Sequence, residues 1–276
     1  MKNLEELKEA VTQKNVILFV GAGVSKNLGL PNFSELIDSV AESLGYDPEI
    51  FKSLSNYQSL LEYYKIKKKS IGELRSDMDI KWHKSDIKIE NSEIHKLIVQ
   101  LGFPIIYTTN YDKWLEKAFE YYKEKYTKIV NVKDFTEIKA GVTQIVKFHG
   151  DFSDDDSIVL TESSYFERLE FSSPLDIKLR SDMLGKTILF IGYSLEDVNM
   201  RFLIYKLNKI WSEYKEYRPK SFIFLTKPNE IEETVLKERG IISLVSDYDD
   251  PSRGLLDFLS SLHCGINNDI CLNSEI

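Results

Sequence analysis

Three stretches of this chain, VILFV at 16–20, TILFI at 187–191 and SFIFL at 221–225, carry apolar side chains on both alternate sets of positions. Successive strand residues face opposite ways, so a strand apolar on both sets needs cover on both faces. A parallel sheet between two layers of helices provides it. Strand-length runs recur at Pro104–Tyr107, Lys128–Val132, Gln144–Phe148 and Ile241–Val245. Helical periods separate them. Phe33, Leu36, Ile37, Val40 and Leu44 form one stripe after a cap at Asn32 or Ser34. Trp114, Leu115, Ala118, Phe119 and Tyr122 form a second, and Val198, Phe202, Tyr205 and Ile210 a third.

This alternation predicts an α/β fold, a doubly wound, Rossmann-like parallel sheet. One interval breaks it. From about residue 46 to 91 there is no buried strand pattern, and a helical insertion after the first βα unit is expected. The 276 residues then form a single domain, 1–276, with that insertion.

Composition removes several classes. The net charge is −8, from 36 Lys+Arg against 44 Asp+Glu. Phosphate-backbone binding depends on basic residues releasing counterions, so direct nucleic-acid binding is not expected. The Lys67–Lys69 run reads as a solvated helix face. The start, MKNLEELKEAV, is an amphipathic helix and not a signal peptide. The longest apolar stretch, Val16–Val24, is about half of what a membrane helix needs, so a soluble, cytoplasmic protein is expected. Only two cysteines occur, Cys264 and Cys271. They cannot build a disulfide framework or a four-cysteine zinc module, and they read as reduced thiols. The aspartate cluster DFSDDDS, 151–157, fits no calcium-loop spacing and reads as a polar turn between two strands. His83, His95 and His263 lack helical i, i+4 partners and read as structural or surface residues, so no metal is expected.

The most informative stretch is VILFVGAGVSKNLGLP, 16–31. A strand runs directly into Gly21-Ala22-Gly23. Glycines there allow a tight turn and close approach to a pyrophosphate, and the next residues open a helix whose free N–H groups suit an anion. Packing alone also explains such a turn. Lys26 stands where a dehydrogenase fingerprint has its third glycine, and Asp38 lies inside a helical stripe. No GxxxxGK[ST] motif occurs, which excludes a P-loop.

Four motifs in order carry a resemblance. GAGVS at 21–25 with GLPNF at 29–33, TTNYD at 108–112, KFHGD at 147–151 and GYSLED at 192–197 resemble the successive motifs of the sirtuin family of NAD-consuming enzymes. Each follows an expected strand, where ligands sit in a doubly wound sheet. The chain departs from protein-deacylating sirtuins in two ways. It lacks the two cysteine pairs of their zinc ribbon, and it has Asn32-Phe33-Ser34 where they have Asp-Phe-Arg. The interval after TTNYD and the motif IVLTESSY, 158–165, resemble instead a bacterial sirtuin-like branch of anti-phage defence systems, whose members look like NAD hydrolases.

The resemblance implies cleavage of the nicotinamide–ribose bond of NAD to nicotinamide and ADP-ribose. It assigns Asn110 to the ribose hydroxyls or the attacking water. Asp112 goes to the nicotinamide carboxamide, and His149 becomes a general base. Gly21, Ala22, Gly23 and Ser25 would hold the phosphates, Gly192 and Ser194 the phosphate or adenosine ribose, and Thr226 the adenosine side. Each has a structural alternative. His149 could be a hydrogen-bonded core residue. Asn110 could cap a helix at Tyr111–Tyr122. Asp112 could be favoured by a helix dipole, and Ser194 could be a cap. Other functions compatible with the motifs are a non-catalytic NAD or ADP-ribose sensor, a deacylase or an ADP-ribosyltransferase. An unregulated NAD hydrolase would poison its own cell. Control by homo-oligomerisation or by a partner such as a HerA-like translocase ATPase is therefore expected.

Overall fold

The computed structural model describes residues 2–170, 172–193 and 198–267. Seven strands are present: β1 (Val16–Val20), β2 (Ile105–Thr108), β3 (Tyr126–Ile129), β4 (Thr143–Lys147), β5 (Thr187–Ile191), β6 (Ser221–Leu225) and β7 (Ile241–Val245). All pair in parallel, in the order β3-β4-β2-β1-β5-β6-β7. The helices run α1 (Lys2–Thr12), α2 (Ala22–Lys26), α3 (Phe33–Leu44), α4 (Pro48–Leu54), α5 (Tyr57–Lys68), α6 (Gly72–Trp82), α7 (Glu93–Leu101), α8 (Trp114–Tyr121), α9 (Glu162–Leu169), α10 (Pro174–Gly185), α11 (Val198–Ile210), α12 (Glu230–Glu238) and α13 (Pro251–Asn267).

The all-apolar strands are covered on both faces, as their pattern requires. On β1, Val16, Leu18 and Val20 join one core cluster while Ile17 and Phe19 join the other. The first core receives residues of α1, α3, α7, α8 and α13, the second residues of α10, α11 and α12. β1 sits between β2 and β5, so the chain crosses to opposite sides of β1 at this point of the sheet. The loop after β1 packs on the loop after β5, and a cavity opens on its other side, towards the loops after β2 and β4.

Local chemistry explains where the element ends differ from expectation. Asn32, not Ser34, caps α3: its side chain accepts from Glu35 N at 3.0 Å, and the Glu35 carboxylate accepts from Asn32 N at 2.6 Å. β3 ends at Ile129 because the Asp134 carboxylate accepts from both Val130 N and Asn131 N, drawing them out of the ladder. α8 begins at Trp114 and not at Tyr111, since Asp112 Oδ1 takes the Trp114 N–H at 3.1 Å. Between Tyr46 and Asn91 lie α4, α5, α6 and a 3₁₀ turn, with no strand.

The aspartate cluster is a turn between β4 and α9 rather than between two strands. Asp154 accepts from Asn131 Nδ2 at 2.7 Å, and Asp155 pairs with Arg75 of α6 at 2.8 Å. Cys264 is disulfide-bonded, which corrects its reading as a reduced thiol; Cys271 lies outside the described residues. Among the described residues no helix is long and apolar enough to cross a membrane.

Candidate active site

At the carboxyl edge of β1 the chain turns through Gly21 into the five-residue α2. A methyl group on Gly21 would lie 2.2 Å from the Gly192 carbonyl oxygen, and one on Gly23 would lie 2.8 Å from Gly192 Cα. Gly23 N donates to that same Gly192 carbonyl at 2.9 Å. Both glycines therefore let the loops after β1 and β5 touch, backbone on backbone. Gly192 itself takes a left-handed φ of +56°. The close approach in the structure is to the neighbouring loop, the packing role that such a turn also serves.

Beside this contact runs a short relay of hydrogen bonds. Asn110 Nδ2 donates to Gly21 O and to Ser25 Oγ, both at 3.1 Å. Ser25 Oγ in turn donates to Asp112 Oδ2 at 2.7 Å. The Gly21 carbonyl can only accept, which fixes the orientation of the Asn110 amide. Both amide protons are then spent inside the protein, and the side chain has an acceptor, Oδ1, left to offer a ligand. Asp112 has both carboxylate oxygens engaged, one by Ser25 and one by Trp114 N. It ties α2 to the start of α8. The β2 end is anchored from below, where Thr108 Oγ1 donates to Val20 O at 2.8 Å and accepts from Asn110 N at 3.0 Å.

His149 stands two residues past β4. Its ring packs against Phe148 and meets Tyr165 of α9 edge-on at 5.3 Å. Its carbonyl accepts from Val159 N at 2.9 Å, which holds the IVLTESSY segment against the site. Gly150 follows with φ +91°, and a Cβ there would lie 2.3 Å from Ser157 O. Only glycine allows the tight return that leaves His149 at the strand end.

Ala22, Ser25, Asn110, Asp112 and His149 line one cavity of about 120 Å³. Pro31, Phe33, Thr109 and Tyr111 complete much of its wall. Gly21, Gly23 and Gly192 form the loop contact beside it. Thr226, one residue past β6, does not line it. Ser194 lies outside the described residues.

Three wall or support residues received no site role from the sequence, although Lys147 opens KFHGD and Tyr165 closes IVLTESSY. Trp82, the last residue of α6, and Tyr165 both line the cavity. Lys147, the last residue of β4, is fully buried. Its ammonium donates to the Asp112 carbonyl and pairs with Glu116 at 3.4 Å and Asp151 at 3.7 Å. A lysine ending the buried run TQIVK was the available signal. Burial pushes the Glu116 carboxyl up. Burial would also raise Asp151, but Lys147 and hydrogen bonds from Ser153 overcome it and hold that carboxyl at about 2. Behind Asp112, burial pushes His95 down to about 4, so its imidazole is neutral, and its Nδ1 shares a hydrogen bond with Ser92 Oγ at 2.7 Å. Among the described residues no group of three or more His, Cys, Asp or Glu side chains could hold a metal ion.

The cavity lies at the carboxyl edge of this parallel α/β sheet, where the loops after β1, β2 and β4 meet, the edge at which ligands sit in doubly wound folds. The profile of the SIR2-like domain family matches residues 104–244, and the chain belongs to that family. It is 26% identical over 239 residues to the NAD(+) hydrolase ThsA of Bacillus cereus (strain MSX-D12), covering 83% of this chain and 48% of that protein. It is 31% identical over 224 residues to the NAD(+) hydrolase ThsA of Enterococcus faecium, covering 78% and 44%. Against the defense-associated sirtuin 2 of Bacillus subtilis it is 29% identical over 239 residues, covering 84% and 23%. The chain spans about half the length, or less, of these curated relatives.

Proposed function

We propose that this chain binds NAD at the cavity and hydrolyses its nicotinamide–ribose bond, as an effector of anti-phage defence acting by NAD depletion. The convergence of three separated motifs, at 21–25, 108–112 and 147–151, on one cavity carries the reading. The names of the curated relatives support it.

The chemistry asks little of an acid. Nicotinamide in NAD is cationic, and the C1′–N1 electron pair neutralises it as it leaves. The ribose passes through an oxocarbenium-like state that water captures at C1′. Asn110 Oδ1 is suited to orient that water or a ribose hydroxyl, and His149 to take its proton. The Ser25–Asp112 bond makes Asp112 a positioning group, and Ala22 with the Gly21–Gly23 turn faces the phosphates.

Chromatography of NAD incubated with the protein tests this. The wild type should release nicotinamide. Asn110→Ala and His149→Ala should each lower the rate at least about 100-fold, with unchanged circular dichroism. Full turnover in both variants would overturn the assignment.

Activity of this kind must be restrained in its own cytoplasm. We therefore also propose control by homo-oligomerisation or by a partner such as a HerA-like translocase ATPase. Light scattering after size exclusion that showed a monomer, alone and with the candidate partner, would remove this proposal.

A further inference from the structure

Two cavities meet at one wall. The candidate-site cavity and a second one of about 50 Å³ share Pro31 and Trp82. The second lies between α3 and α6, with Leu36, Tyr64 and Met78 among its apolar lining and Glu35, Asp77 and Lys81 among its polar lining. The Trp82 ring is held in place. Tyr111 lies 6.3 Å from it and Phe152 5.8 Å, and the Trp82 carbonyl accepts from Trp114 Nε1 at 3.0 Å. An indole packed in this way is a fixed partition and not a swinging gate.

We propose that Trp82 sets the size of the acceptor that captures the ribosyl centre. This rests on the hydrolase reading above. An oxocarbenium-like carbon reacts with whichever nucleophile can be placed against it, so the space beside it decides between water and larger acceptors. Trp82 walls the cavity on the side of the helical segment. Removing the indole joins the two cavities and admits an alcohol. In that reaction the C1′–N1 bond breaks with its electron pair passing to nicotinamide. The alcohol oxygen bonds to C1′, and its proton passes to His149 or solvent. No oxidant or further co-reactant is needed, and the product is an alkyl ADP-riboside in place of ADP-ribose.

The test incubates NAD and 1-propanol with the wild type, Trp82→Ala, Trp82→Leu and Trp82→Phe, and reads the ratio of propyl ADP-riboside to ADP-ribose by mass spectrometry. That ratio counts only molecules that turn over, so a loss of folded protein does not move it. The ratio should rise at least about tenfold in Trp82→Ala over wild type, with Trp82→Phe between them. Equal ratios in all four proteins would overturn the proposal. So would loss of all turnover in the three variants, which would put Trp82 in the fold or the chemistry rather than at the acceptor wall. A wild type that releases no nicotinamide overturns the hydrolase reading itself, and the proposal with it.

Discussion

At the scale of single residues, Lys147 and Gly21 decide the most. Lys147 faces two buried carboxylates and holds the carbonyl of Asp112. Removing one partner of a buried charge group leaves the others uncompensated. Lys147→Met should therefore cost about 3–5 kcal/mol, measured by urea unfolding. Adding Glu116→Gln should recover part of that loss; no recovery would assign the loss to Asp151 and the Asp112 carbonyl. Gly21 faces backbone at 2.2 Å, which cannot yield as a flexible side chain would. Gly21→Ala should destabilise by about 1–3 kcal/mol and impair NAD turnover by pushing the two loops apart. A neutral outcome in the melt would refute the close packing. The sequence marked Gly21 as a tight turn. It did not show what the turn packs against, because Gly192 lies 171 positions away and only the β1–β5 pairing brings the two together.

At the scale of elements, α6 is the piece whose role was least legible. Its sequence, GELRSDMDIKW, carries one narrow apolar stripe, Leu74, Met78 and Trp82, which it buries, and the last of these lines the cavity. Its polar anchor is Arg75, which donates to the Phe152 carbonyl and pairs with Asp155. Both partners lie in the aspartate-rich turn after β4, so that turn serves as a dock for α6. Arg75→Met should lower the hydrogen-exchange protection of α6 selectively, by about 1–3 kcal/mol of local opening energy. Unchanged protection would move the anchoring role to the aromatic contacts of Trp82. The strands behaved differently. β1, β5 and β6 end where their apolar runs end, because a residue buried on both faces has no alternative environment. β3, on the sheet edge, ends three residues before its expected end at Val132, because side-chain capping there competes with the ladder.

At the scale of the whole molecule, one buried group couples stability to acidity. His95 is neutral in the fold, held at about 4 by burial against an unfolded value of 6.5. Between those values the unfolded chain binds a proton that the folded chain does not. Stability therefore falls as pH drops from 6.5 towards 4, by about 3 kcal/mol from this group. Urea unfolding across that window should show the slope, and His95→Leu should flatten it. A slope unchanged in the variant would assign the acid sensitivity to other groups.

The sequence by itself determined the layered α/β architecture, the strand positions and the Gly, Asn and His motifs at strand ends. Those follow from local rules: alternation of side chains, φ freedom of glycine and capping chemistry. Tertiary structure alone decided that Asn110 offers an oxygen and not a donor, that Asp112 holds Ser25 and Trp114, that Lys147 supports Asp112 from below, and that Trp82 lines the cavity. Each of these depends on which buried group is left unpaired once distant loops meet. No local pattern carries that information, because it is set by the crossing of strands at β1.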